Sequence, residues 1–222
     1  MIARFLDLLA APIVWLAYKT KNLRLYLQAD LHSSARVLEI GSGGNPWFRS
    51  NVLCDKYLSD NLERGDVPLV RDREFIQADA TALPFKDKEF DFVFCSHVAE
   101  HIDRIEDFFR EIQRVGKAGY IETPNYFFEQ TVGTATHDWA LWTANGRLYA
   151  ERKRMAGCPE RAYHGMHRVI NQHPFLHLSY LLIPELKVMR FWWKDRFDYE
   201  IFDAPSPMQA TRASETVPTP QP

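Results

Sequence analysis

The chain has 222 residues, 46% of them hydrophobic and 25% charged, which is enough to bury one substantial core and cramped for two domains. A formal net charge of −2 supplies no basic surface for nucleic acid or an anionic membrane, so nucleic-acid substrates are disfavoured. Cys54, Cys95 and Cys158 lack C-x-x-C spacing and two of them fall in predicted strands, so they read as buried thiols of a reducing cytoplasm and not as disulfide or zinc ligands.

The first predicted element is the apolar run from Leu8 to Tyr18, with Arg4 and Asp7 before it. It is too short to span a bilayer, and Asp7 interrupts the apolar region a signal peptide needs. Two readings stand for it: a helix packed on the domain, or one lying at a membrane surface through Trp15, Lys19 and Lys21. NLRLYLQADL then spaces Leu23, Tyr26, Leu27 and Leu31 at helical intervals, so residues 1–31 form an N-terminal helical segment. The decapeptide VLEIGSGGNP, residues 37–46, follows. Val37, Leu38 and Ile40 suit a buried parallel strand, while Gly41, Gly43 and Gly44 permit positive φ and close backbone approach. Glu39 would sit poorly beside a pyrophosphate and well beside an ammonium group. Pro46 stands where a dinucleotide fingerprint wants its third glycine, and no Gly-Lys-Ser/Thr follows, which weakens the NAD reading and excludes a P-loop. Only about a dozen residues separate this loop from Asp55, so any intervening helix is very short or irregular.

NVLCD, residues 51–55, reads as a second strand closing on Asp55, and REFIQADATALPF holds a third strand ending at Asp79 and Ala80. EFDFVFCSHVAEHI, residues 89–102, combines a fourth strand with the loop after it. DRIEDFFREIQRV places Ile105, Phe108, Phe109, Ile112 and Val115 on one helical face, the crossover to a fifth strand in GYIETPN, residues 119–125, which ends in a turn at Pro124-Asn125. Farther on, HDWALWTANGRLYAERKR reads as a hairpin, because Asn145-Gly146 suits the two positive-φ positions of a type I′ turn. PFLHLSYLLIPEL reads as a last helix broken before Pro184, and LKVMRFWWK and RFDYEIF as an antiparallel pair completing the sheet. Trp139, Trp142, Trp192 and Trp193 suggest a substrate wall. The Pro-, Ser- and Thr-rich tail, residues 204–222, is expected to be disordered. His164 and His167, and His173 and His177, have ligand spacing for a helix, but Gly165 and Pro174 interrupt the windows and no acid lies close, so no metal is expected.

Taken in order over residues 36–125, these elements resemble the class I S-adenosylmethionine-dependent methyltransferases of small-molecule type. The resemblance implies an α/β, Rossmann-like doubly wound fold with a mostly parallel seven-stranded sheet, an antiparallel last strand and a β-hairpin-containing insertion after strand five. The methyltransferase domain would cover residues 32–203, with a substrate-capping insertion at about 125–173. S-adenosylmethionine is the implied cofactor, bound by Glu39, Gly41, Ser42, Gly43, Asp55, Asp79, Ala80 and Ser96, with Asp55 on the ribose hydroxyls and Asp79 and Ala80 on the adenine. Asn45 replaces the last glycine of the common G-x-G-x-G loop, and RVGKAG is a looser form of the usual Lys-x-Gly-Gly turn. His97 and His101 follow the fourth strand, where the methyl group should point, and imidazole titrates near neutrality, so both are candidate general bases. For each the alternative is structural hydrogen bonding, with Glu100-His101 beginning a helix. The expected function is methyl transfer to a hydroxyl, less readily an amine, of a small-molecule, glycan or lipid-linked acceptor. A non-catalytic methyltransferase-like binding protein is the competing reading. The expected setting is cytoplasmic, with peripheral membrane contact through the N-terminal helix as an open alternative; the sequence sets no oligomeric state.

Overall fold

The computed structural model describes residues 25–59, 67–131, 136–153 and 187–203. The Leu8–Tyr18 run, the PFLHLSYLLIPEL segment, Cys158, the four histidines at 164, 167, 173 and 177, and the tail lie outside them. Four short apolar runs become the centre of a parallel sheet: β1 (Val37–Ile40), β2 (Val52–Asp55), β4 (Phe92–Ser96) and β5 (Ala118–Pro124). All four residues of β1 and of β2 are buried, as strands covered on both faces must be. β3 (Glu74–Gln77) forms one edge, and β8 (Val188–Lys194) pairs antiparallel with β5 at the other, giving the order β3-β2-β1-β4-β5-β8.

The main sheet therefore has six strands among the described residues, not seven. The RFDYEIF segment does form a strand, β9 (Tyr199–Phe202), but it leaves the sheet and pairs parallel with β7 (Arg147–Arg152). The chain turns sharply after β8 at Asp195, where φ is +59°, and Phe197 is then buried against Phe109, Phe191 and Trp193. That anchorage directs the following residues toward the hairpin. β6 (Trp139–Ala144) and β7 pair antiparallel across Asn145 and Gly146, whose φ values of +51° and +75° are those a type I′ turn requires.

The helix α1 (Ile105–Val115) buries Ile105, Phe108, Phe109, Ile112 and Val115, the face that its periodicity marks. Between β1 and β2 there are only turns and bends, matching the short spacing to Asp55. Residues 25–29 are helical; Tyr26 and Leu31 of the expected face pack on the core beside buried Leu25, whereas Leu27 is largely exposed. Asn125 is also more than a turn residue. Its Oδ1 accepts the Phe128 N–H at 2.8 Å and caps α2 (Tyr126–Thr131). Trp139 and Trp193 are core residues and not a substrate wall: Trp139 donates its indole N–H to the Ile102 carbonyl at 2.7 Å, and Trp193 packs over Gly119. No helix among the described residues is long and apolar enough to cross a membrane.

Candidate active site at the switch point of the sheet

Strand order reverses between β1 and β4, and the crevice outside the carboxyl ends of strands at such a point is where open α/β sheets bind ligands. A cavity of about 780 Å³ opens there. Gly41 and Gly43 line it after β1, Asp55 at the end of β2 and Lys56 beyond it, Asp79 to Thr81 beyond β3, and Ser96 at the end of β4 with His97, Glu100 and His101 after it. Thr136 and His137 close it from the approach to β6.

The glycine loop is shaped by contacts that a side chain would forbid. Gly41 has φ +66°, and a Cβ there would fall 2.2 Å from Val98 Cγ2, so only glycine lets the β1 loop meet the β4 loop. Its N–H and that of Ser42 donate to the Cys54 carbonyl at 2.8 and 3.2 Å. Gly43 N–H donates to Asp55 Oδ2 at 3.1 Å while Tyr57 N–H donates to Oδ1 at 3.1 Å, so the Asp55 carboxylate ties two loops together at the cavity wall. Asp79 and Ala80 lie in the loop after β3, which ends at Gln77, instead of in the strand itself. Burial opposes ionisation of Asp79, but the Thr81 N–H and hydroxyl and the Lys56 ammonium, 2.9 Å away, hold its pKa down to about 2.

Glu39 and Ser42 do not line the cavity. Trp47 stacks on Phe94 with ring centroids 4.9 Å apart, which draws the loop back over β1. Glu39 Oε2 then accepts the Trp47 N–H at 2.9 Å and the Ser50 hydroxyl at 2.6 Å, beneath the loop. Burial pushes its pKa up to about 7. Ser42 is buried, and its hydroxyl has no hydrogen-bond partner.

His97 has φ +58°, a left-handed conformation sparsely populated by non-glycine residues, and its N–H donates to the Glu122 carbonyl at 2.8 Å. The half-exposed imidazole stands between two carboxylates that are almost inaccessible to solvent: Nδ1 is 3.2 Å from Glu100 Oε1 and Nε2 is 3.8 Å from Glu122 Oε1. Glu122 also accepts from the Tyr120 hydroxyl at 2.6 Å, the Ser96 hydroxyl at 3.2 Å and Arg190 Nε at 3.2 Å. His101 ends a three-residue 3₁₀ turn, Ala99–His101, and the next helix starts only at Ile105, so Glu100-His101 does not begin it. Lys56, Glu122 and His137 escaped the sequence reading. An acid inside the apolar strand GYIETPN was a visible signal for Glu122; nothing local pointed to His137, which the fold brings in from the far side of α2.

A glycine loop and an acid closing the neighbouring strand, set at the switch point of a 3-2-1-4-5 parallel sheet with an antiparallel strand beyond β5, are arranged as in the class I S-adenosylmethionine-dependent methyltransferases. The cofactor of that class is S-adenosylmethionine. The residues at the cavity fit it: Gly41 and Gly43 bring backbone to its wall, and the Asp55 carboxylate beside them is an acceptor for hydroxyl groups. Residues 53–121 match the family described as a methyltransferase domain. Among similar proteins, a demethylmenaquinone methyltransferase of Roseiflexus sp. is 29% identical over 96 residues, 39% of this chain and 40% of its own length. A probable phthiotriol/phenolphthiotriol dimycocerosates methyltransferase 2 of Mycobacterium ulcerans is 32% identical over 105 residues, 43% and 40% respectively. The chain thus spans about two fifths of the length of these relatives. The solved YcgJ protein of Bacillus subtilis is 25% identical over 48% of this chain and 51% of its own, with a TM-score of 0.37.

Proposed function

We propose that the protein transfers a methyl group to a hydroxyl, less readily an amine, of a small-molecule or lipid-like acceptor, with residues 32–203 as the catalytic domain. The observation that carries this reading is His97, held on a strained backbone at the carboxyl end of β4 with its imidazole at the cavity between buried Glu100 and Glu122. Bound S-adenosylmethionine supplies a methyl group already activated by the sulfonium charge. Gly41, Gly43, Asp55 and Asp79 would hold the nucleoside end, with Asp79 kept ionised by Lys56 and Thr81. The protein then has to hold the acceptor oxygen about 3 Å from the methyl carbon and take its proton. His97 takes that proton, and the two carboxylates orient the ring and stabilise the charge it acquires.

The names of the two relatives support an acceptor of small-molecule, lipid-like kind. So does a groove of about 860 Å³ next to Asn125, lined by Phe127, Trp142 and Phe202, in which the Trp142 ring stacks with Phe202 at 5.9 Å.

Calorimetry with S-adenosylmethionine and with its demethylated product tests the cofactor half; failure of both to bind sinks the enzyme reading and leaves the binding-protein one. For the base, single-turnover transfer of labelled methyl to a panel of lipophilic hydroquinones and phenols is measured for wild type and His97→Ala. The variant should bind cofactor normally and react about 10²- to 10⁴-fold more slowly. An unchanged rate across the pH range removes His97 from the role.

A further inference from the structure

At the rim of the cavity Glu100, His101 and His137 each bring one ligand atom within 4.8 Å of the others. Glu100 is 1% exposed, and its Oε2 has no hydrogen-bond partner among the described residues. A carboxylate oxygen buried without a partner is an expensive arrangement for a protein to keep unless something else completes it. The two imidazoles are oriented from behind. His137 Nδ1 is 2.6 Å from Glu129 Oε1, and that carboxylate is itself buried and bound by Lys153 Nζ at 2.6 Å. His101 Nδ1 is 3.2 Å from the Thr136 carbonyl. Histidine ligands of metal ions are held in this way, donating Nδ1–H to a carboxylate or a backbone carbonyl while Nε2 coordinates.

The residues come from two segments that the fold fastens together. Asp138 N–H donates to the Glu100 carbonyl at 2.7 Å, and Trp139 Nε1 donates to the Ile102 carbonyl at 2.7 Å, so the segment leading from His137 into β6 is docked on the turn carrying Glu100 and His101. The two histidine rings meet edge to face, 4.5 Å between centroids.

We propose that Glu100, His101 and His137 form a three-ligand site for a divalent transition ion of the zinc class, with its remaining positions open to the cavity. Two imidazoles and one carboxylate are the donors that borderline ions such as Zn²⁺ take, whereas Mg²⁺ and Ca²⁺ sites are built of oxygen. The role of the ion rests on the proposed methyl transfer: beside His97, it would bind the acceptor oxygen and ease loss of its proton.

The test uses tag-free full-length protein stripped with a chelator and titrated with Co²⁺. A visible d–d band saturating at one equivalent and displaced by Zn²⁺ is expected. His137→Ala and Glu100→Gln should each weaken Co²⁺ binding at least tenfold with the far-UV circular dichroism unchanged, which separates this site from the histidines at 164, 167, 173 and 177. Should either variant fail to fold, Glu129→Gln keeps all three ligands, removes the carboxylate charge behind His137, and should weaken binding by about 10- to 100-fold. Absence of a stoichiometric band in wild type, or unchanged affinity in the folded variants, overturns the proposal. Calorimetry with S-adenosylmethionine on the stripped protein separates the two readings: cofactor binding without metal binding leaves methyl transfer standing while the metal site falls.

Discussion

Glu39 shows how one carboxylate changes role between sequence and fold. In VLEIGSGG it stands where an ammonium group could meet it, yet Pro46 and Trp47 fold the loop back so that Ser50 and the Trp47 N–H hold it under the β1 loop. Desolvation raises its pKa from an ordinary 4.5 to about 7. A carboxyl raised in this way binds its proton more tightly when folded. Its stabilising contribution is therefore complete below about pH 4.5, declines as pH rises toward about 7, and is absent above that. Glu39→Gln should remove this dependence. In urea unfolding, stability of the variant relative to wild type should shift by about 2 to 3 kcal/mol in the variant's favour between about pH 5 and about pH 8. A gap that does not change with pH would mean that Glu39 is already ionised in the folded protein at the lower pH.

At the scale of elements, β5 and β8 meet at a position where space is exhausted. A Cβ on Gly119 would lie 2.6 Å from both Trp193 Cζ2 and the Val93 carbonyl, so Trp193 covers β5 only because residue 119 is glycine. Gly119→Ala should cost about 1 to 3 kcal/mol by overpacking, read as a lower urea midpoint, and Trp193→Leu in that background should recover part of the loss. An unaltered midpoint for Gly119→Ala would show that β8 can slide away without penalty. Elements were the most legible scale in the sequence. The face of α1 was written in its periodicity, and the hairpin turn in Asn145-Gly146, because both depend on neighbours within a few residues. The fate of β9 was not legible: its alternation marks a strand, but which edge a strand joins depends on where Phe197 is buried.

Across the whole molecule, the six-stranded and three-stranded sheets share a single C-terminal segment, since β8 closes one and β9 extends the other. Phe191, Trp193 and Phe197 from this segment lie in the core that holds Phe109 and Ile121. Ending the chain after residue 186 removes these side chains and bares the edge of β5. The truncated protein should lose cooperative thermal unfolding and bind a hydrophobic dye, as a loosely packed state does. A sharp melt close to that of the full chain would show that the first five strands fold without it.

The sequence alone placed five strands in succession with the glycine loop, the acid closing β2 and the acid following β3, and on these the resemblance to a class of domain rested. Those features are local: apolar runs of strand length, glycines where φ must be positive, an acid closing a strand. Tertiary structure decided that Glu39 turns under the loop, that β9 belongs to a second sheet, that Glu122 lies buried behind His97, and that His137 joins His97 at the cavity. Each depends on packing between residues far apart in the chain, where burial of Trp47 or Phe197, or the docking of β6 on the Glu100 turn, fixes the direction of a polar side chain that its own neighbours leave undetermined.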